Sequence, residues 1–401
     1  MTALVTVDDV RAAQDVLAGV VRRTPLEPSA PLSALVGGPA LLKCENLQHA
    51  GSFKPRGAYL RLVRLSPAER ARGVVAASAG NHAQGVALAA RLVGTHATVF
   101  MPVGASLPKV AATRGYGATV ELVGDDLAEA MAAATAFAEE RDAVYIHPFD
   151  HPDVVAGQGT VGLEILEQCP DVATVVVAAG GGGLVAGIAA VLAAERPSAR
   201  LVAVQAAGAA AVPPSLAAGH PVSLADLRTM ADGIAVGRPG ELTLAHIQAQ
   251  VDEVRTVSEE QISRALLFGL EWAKMVVEPA GAAALAAVLA EPTAFEPPVV
   301  VVLSGGNIDP LLLLRVIEHG MASAGRYLDL RVRFEDRPGM LAGLLGVLAR
   351  ERANVLDIAH VRHDAALRMG DVEVSLTVET DGPDHSHRVK SALRAAGYSV
   401  D

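Results

Sequence analysis

Cysteine is nearly absent: Cys44 and Cys169 are the two in 401 residues. They form no CxxC and are too few for a disulfide framework, so a reducing cytoplasm is expected and buried filler is their reading. Positive charge is also short. Lys+Arg number 33 against 44 Asp+Glu, a formal net charge of -11, which argues against non-specific binding to nucleic acid or to an anionic membrane. The N-terminus lacks the basic start and apolar block of a signal peptide, and Asp8 and Asp9 interrupt it. Lysine is the scarcest cation, confined to Lys43, Lys54, Lys109, Lys274 and Lys390. Genome composition accounts for that bias and for the abundant alanine. It still means that a chemistry requiring a primary amine has five candidates.

What is present is a large apolar fraction. Hydrophobic residues make up 51% and charged residues 19%, which excludes general disorder. At about 150 residues per domain, the length suggests two to three domains. The run 172–194 carries no charge over 23 residues and is long enough to span a bilayer. Four glycines from Gly180 to Gly183 would break a spanning helix, so the run reads as buried strand, glycine turn and buried helix rather than membrane span.

A helix is expected at 7–19, then a loop around Pro25, Pro28 and Pro31. Strands at 41–45, 74–77, 97–101, 119–122, 143–146, 174–178, 201–205 and 298–303 alternate with helices at 54–63, 81–92, 109–114, 126–140, 159–167 and 184–194. Continuous apolar strands between helices suit parallel sheets covered on both faces, an α/β class. Near Gly325 the pattern changes. An alternating strand at 327–335 is followed by a helix after Gly339, a turn at Asn354, a strand at 355–361 and a hairpin at 363–370. A strand at 372–378, a helix at 384–395 and a short strand at 398–400 close the chain. The order βαββαβ defines a small ferredoxin-like module.

Four segments can carry chemistry. In Gly51-Ser52-Phe53-Lys54-Pro55-Arg56-Gly57-Ala58, a lysine after an aromatic opens a helix. A Schiff-base lysine needs such a fixed, partly desolvated place, and the alternative is a surface lysine. Ser78-Ala79-Gly80-Asn81-His82-Ala83-Gln84-Gly85 follows an apolar strand. Its free amides can hold a carboxylate and Asn81 can donate to a phenolate oxygen, unless Ser78 or Asn81 simply caps the helix. His82 alone reads as a packed histidine. Gly180, Gly181, Gly182, Gly183 and Leu184 again join strand to helix, where amides can converge on a phosphate. Gly181-x-Gly183-x-x-Ala186 matches a loose dinucleotide fingerprint, but the next strand ends at Gln205, where an acid would be expected. No Gly-Lys-Ser/Thr follows, so a P-loop is excluded and a lone phosphate monoester fits better. In Leu303-Ser304-Gly305-Gly306-Asn307, Ser304 could bond a heteroaromatic nitrogen or serve as a turn residue.

Together these segments, in this order and at these spacings, resemble the fold-type II family of pyridoxal-5′-phosphate enzymes, within it the threonine/serine dehydratases, over about residues 5–320. The resemblance implies two open, twisted α/β subdomains, the smaller at about 48–150 inserted in the larger, within a catalytic domain 1–324. It implies that Lys54 binds pyridoxal 5′-phosphate as an imine and takes the Cα proton. Phe53 would pack on the cofactor ring, Asn81 meet its phenolic oxygen, Gly180 to Leu184 hold its phosphate and Ser304 meet its pyridine nitrogen. Ser78, Asn81 and His82 would receive the carboxylate of an amino-acid substrate. The implied reaction is β-elimination of water from L-threonine to give 2-oxobutanoate and ammonia.

Racemases of the family carry a second serine where this chain has Ala79, so racemization is disfavoured. Metal-binding relatives place carboxylates after the strand at 201–205. Here that stretch is Gln205-Ala206-Ala207-Gly208-Ala209-Ala210-Ala211, so no divalent metal is expected at that site. Residues 325–401 resemble an ACT domain, with Asp336-Arg337-Pro338-Gly339-Met340-Leu341 at its strand-to-helix junction. Such modules usually pair and bind an amino acid at their interface, which implies a homo-oligomer, dimer or tetramer, and leaves two readings open: an amino-acid effector site, or a module that only dimerizes. The rival readings are L-serine ammonia-lyase, a β-replacement enzyme and a non-catalytic amino-acid sensor.

Overall fold

A computed structural model of the chain describes residues 3–323, 325–361 and 367–400. The chain divides into two units, Met1–Asp309 and Pro310–Asp401. The change of pattern at Gly325 lies beyond helix Pro310–Ser323, which groups with the second unit.

The larger unit contains two parallel sheets. One has the spatial order Leu26–Pro28, Ala40–Lys43, Val299–Val302, Thr174–Ala178, Arg200–Ala206, Glu253–Val257, parallel except for the first pair. The other runs Thr119–Leu122, Ala97–Met101, Val74–Ala77, Val144–Tyr145, all parallel. The valine-rich central strands are buried along their whole length, which is why they read as apolar runs without alternation. The run 172–194 is strand Thr174–Ala178, the glycine turn and helix Gly183–Glu195. No helix of the described residues is long and apolar enough to cross a membrane.

Helix Lys54–Val63 crosses helix Pro152–Gln168 at Gly57 and Gly157, where a Cβ on Gly157 would stand 2.6 Å from the Gly57 Cα. Beneath this crossing lies a buried four-charge network. The Arg56 guanidinium is bidentate on Glu45, with both bonds at 2.8 Å, and reaches Glu164 at 2.7 Å and Thr160 at 3.1 Å. Lys43 Nζ donates to Glu164 at 2.6 Å, the Thr24 carbonyl at 2.8 Å and Gln168 at 2.9 Å. Burial disfavours the charge on Arg56, yet Glu45 and Glu164 outweigh it and hold its pKa above the ordinary value.

Three expectations are corrected. The proline loop contains a short strand and helix Ala30–Val36, because Ser29 caps it by accepting from the Leu32 amide and Pro31 falls in its first turn. The helix expected at 159–167 begins at Pro152, after the His151 cap, and its early glycines serve the close crossing. Strand Asn354–Val361 starts at the residue expected to turn. The turn is at Arg352, whose φ is 62°. For 206–297 the sequence reading names no element, and there the structure has four α-helices, Val212–Ala218, Glu241–Gln250, Glu259–Phe268 and Pro279–Ala290, besides strand Glu253–Val257.

The second unit has an antiparallel sheet ordered Asn354–Val361, Asp371–Glu379, Tyr327–Glu335, Ser399–Val400. Helices Met340–Arg350 and Pro383–Ala395 complete the βαββαβ order. Of the hairpin expected at 363–370, residues 363–366 lie outside the described residues.

The buried network generates a prediction. Glu164→Ala strips Arg56 and Lys43 of a shared carboxylate and should cost ~3–5 kcal/mol, read as an earlier unfolding transition of the larger unit in denaturant. A loss within ordinary surface-mutation scatter would contradict this account.

Candidate active site

Loops that follow parallel strands meet around Lys54. The Phe53 amide donates to the Ser304 carbonyl at 3.2 Å, and Ser52 forms an isolated antiparallel bridge with Gly305. Helix Asn81–Val93 approaches through Gly85, where a Cβ would stand 3.1 Å from the Lys54 Cβ. Lys54 Nζ donates to the Pro148 carbonyl at 2.9 Å and lies 5.1 Å from the Phe53 ring centroid. Burial pushes the Lys54 pKa down to about 8, against the attraction of Glu278.

The next residue, Phe149, joins the lysine to the glycine turn. A Cβ on Gly181 would stand 2.3 Å from its ring, and one on Gly183 3.0 Å from its Cβ. On the other side, a Cβ on Gly180 would meet the Ile234 backbone at 2.9 Å, and one on Gly182 would meet Thr243 at 2.9 Å. The backbone itself therefore lines this turn. Among the described residues, no amide from Gly180 to Leu184 donates to a protein group. Leu184 is buried in the hydrophobic core that includes Val175 and Val177, so only its amide is available. Ser304 is buried, two residues past the end of strand Val299–Val302.

The Ser78 hydroxyl accepts from the Gly80 amide at 3.1 Å, and Gly80 occupies the cap position of helix Asn81–Val93. Neither Ser78 nor Asn81 caps this helix, and a Cβ on Gly80 would meet nothing within 4 Å. His82 Nε2 bonds the Ile146 carbonyl at 2.9 Å. A carbonyl only accepts, so Nε2 carries the hydrogen. Burial, with Lys54 adding to it, pushes the His82 pKa down to about 3 and keeps the ring neutral. Asn81 donates to Glu278 and accepts from Asn307 Nδ2 at 2.7 Å. Burial first, then Asp232, pushes the Glu278 pKa up to about 7.

The unpartnered amides of a turn at a helix N-terminus are donors for a phosphate monoester, and an enclosed amine of lowered pKa is a nucleophile for an aldehyde. The donor set thus fits pyridoxal phosphate. Residues 17–305 match the family model described as pyridoxal-phosphate dependent enzyme, and residues 332–401 match the ACT domain. The chain belongs to the pyridoxal-phosphate dependent enzymes. It is 45% identical over 397 residues to an L-threonine ammonia-lyase of Thermotoga maritima, covering 99% of each chain. It is 47% identical over 394 residues to an L-threonine ammonia-lyase of Geobacter sulfurreducens, covering 98% of each. The solved structure of maize serine racemase superposes with a TM-score of 0.75 at 35% identity, covering 80% of this chain and 99% of that one.

Several residues of this pyridoxal-phosphate enzyme's site escape the sequence reading. His147 Nδ1 accepts from the amides of Phe149 at 3.3 Å and Asp150 at 2.8 Å, and so shapes the turn that presents Pro148 and Phe149. Asp150 accepts from the amides of Glu241 and Leu242, both at 3.0 Å, and Thr243 Oγ1 donates to the Gly181 carbonyl at 2.6 Å. Gln205 bonds the Ala179 carbonyl and the Val212 amide, bracing the strand beside the turn. The available signal was position: His147-Pro148-Phe149-Asp150 follows a parallel strand at its carboxyl end, where ligands bind in open α/β sheets.

Two predictions arise. The rate at which the cofactor-free protein forms its imine with pyridoxal phosphate should rise with pH to a midpoint near 8, since only the neutral amine reacts and Lys54 is depressed to about 8. A rate still climbing toward the ordinary lysine value of 10.5 would contradict the enclosure of this amine. Gly181→Ala should displace Phe149 and weaken cofactor affinity at least ~10-fold, a loss of 1.4 kcal/mol, read by equilibrium dialysis.

Proposed function

We infer that this protein is a pyridoxal-phosphate dependent L-threonine ammonia-lyase, converting L-threonine to 2-oxobutanoate and ammonia. The supporting observation is near-complete alignment, ACT domain included, with two L-threonine ammonia-lyases. Bound pyridoxal phosphate supplies the electron sink that acidifies Cα–H and lets the β-hydroxyl leave.

The chain's own residues do the rest. Amides of Gly180 to Leu184, at the positive end of helix Gly183–Glu195, would hold the phosphate. Phe53 would flank the ring and Ser304 would face its pyridine nitrogen. A neutral serine, unlike an aspartate, does not favour a proton there, which would weaken the sink and suit prompt departure of the β-hydroxyl, protonated as it leaves as water. Lys54, with a pKa near 8, keeps an appreciable neutral fraction at physiological pH. It can therefore bind the cofactor and, once released, remove the Cα proton. The Ser78–His82 turn would receive the substrate carboxylate. The neutral His82 cannot supply a proton there. Ala79 offers none to the opposite face of Cα, which favours elimination over racemization.

Serine is the nearest competing substrate, since one methyl group is worth only ~1–3 kcal/mol in a pocket. The C-terminal ACT domain would bind an amino-acid effector in a homo-oligomer, with isoleucine and valine as the compounds to test. Cys44 and Cys169 are free and buried, and burial pushes their thiols up to about 12 and about 11, so both remain unreactive thiols; two free thiols with no disulfide between them suit a reducing cytoplasm.

Steady-state release of 2-oxobutanoate from threonine and pyruvate from serine, with and without isoleucine and valine, tests this reading. Absence of keto-acid release from either substrate by the loaded protein would overturn it. Lys54→Ala should lower kcat by at least ~10²–10⁴-fold while still binding the cofactor through the glycine turn, and full activity in that variant would refute the assigned role.

A further inference from the structure

The direction of the Asn81 amide is dictated from a backbone carbonyl two hydrogen bonds away. Asn307 Nδ2 donates to the Ala50 carbonyl at 2.7 Å, a group that can only accept. The same nitrogen donates to Asn81 Oδ1 at 2.7 Å. The Asn81 nitrogen must then face Glu278, to which it donates, and one of its two hydrogens remains free. The chain Asn307, Asn81, Glu278 thus has a single polarity.

The surroundings are cut to fit this chain. A Cβ on Gly51 would stand 2.4 Å from Asn307 Oδ1, and one on Gly305 2.1 Å from Glu278 Oε1. Glu278 occupies the cap position of helix Pro279–Ala290, yet its side chain makes no cap bond. It is buried, and its carboxylate goes to Asn81. Desolvating a carboxylate is costly unless the group is partnered. An acid placed here and turned away from the helix it precedes is therefore accounted for by the amide it faces.

We propose that Glu278 and Asn307 are positioning residues that hold Asn81 with a hydrogen, not its oxygen, toward the phenolic oxygen of the bound cofactor. This rests on the reading that Asn81 meets that oxygen. A donor at the phenolic oxygen stabilizes its anionic form and leaves the imine proton on nitrogen, the form with long-wavelength absorption.

The test uses the full-length holoenzyme and reads the absorption spectrum beside the kinetics. Asn307→Asp keeps the shape but removes the donor, so the Asn81 amide should turn over. The long-wavelength band should then fall at least ~2-fold and kcat on the order of 10–100-fold, the range found when the outer partner of a metal ligand is removed. Glu278→Ala leaves Asn307 to orient the amide but removes the acceptor that anchors its nitrogen, so the band should fall, though less than in Asn307→Asp, whereas Glu278→Gln retains an acceptor oxygen and should keep the band. If Glu278→Ala does not fold, the Asn307→Asp spectrum decides. Loss of the band in Glu278→Gln would overturn the proposal, since charge rather than orientation would then matter. If Asn81→Ala shifts the band while Asn307→Asp and Glu278→Ala retain it, the positioning role is refuted and the reading of Asn81 stands. If Asn81→Ala itself leaves the band in place, that reading fails, and the proposal with it.

Discussion

Arg56 stands two residues beyond Lys54, and its guanidinium is enclosed by Glu45 on one side and Glu164 on the other. Glu45 lies just past strand Ala40–Lys43, and Glu164 on helix Pro152–Gln168. The first turn of helix Lys54–Val63 is thereby tied to both. Lys43 on the same Glu164 brings the cluster to two positive and two negative charges. A buried pair of this kind adds little net stability over an apolar packing, but breaking it is expensive. What it supplies here is direction: the helix cannot slide or rotate without exposing an unpaired charge to the core, so Lys54 stays aimed at Pro148.

The second constraint is steric. At the glycine turn each Cβ position is claimed by Phe149, Ile234 or Thr243, so the backbone stays bare and its amides stay accessible. Thr243 holds the Gly181 carbonyl and Asp150 holds the helix that carries Thr243. The turn is therefore braced from segments far apart in sequence, one of them the same 147–150 loop that receives the Lys54 amine. Preorganization of this sort matters because amides that need not move to meet an anion lose no interaction energy to rearrangement.

Much of this was legible in the order of residues. Buried valine runs and glycine turns identify the parallel strands and the loops after them, and strict alternation at 372–378 identifies the half-covered strand of the ACT domain. The motifs around Lys54, Asn81, Gly180 and Ser304 also announce themselves, because backbone chemistry demands those residue types. Glu278 and Asn307 do not. An acid before Pro279 looks like a helix cap, and only the three-dimensional path of its side chain shows that it is not. Pro148 contributes a carbonyl, which any residue possesses. The alanine-rich stretch 206–297 resists reading for another reason: helices such as Pro279–Ala290 are apolar on every face because they are buried on every face, so no periodicity marks them.

The distribution of amines carries a consequence for a protein that must handle a free aldehyde. Lys43 is locked among Glu164, Thr24 and Gln168, and Lys109 is paired with Asp232. Lys274 stands in the open and Lys390 is half covered on helix Pro383–Ala395. Elsewhere arginine supplies the surface cations, and a guanidinium does not condense with aldehydes under ordinary conditions. Adventitious adducts thus have few places to form, and borohydride trapping followed by peptide mapping would meet an unusually clean background.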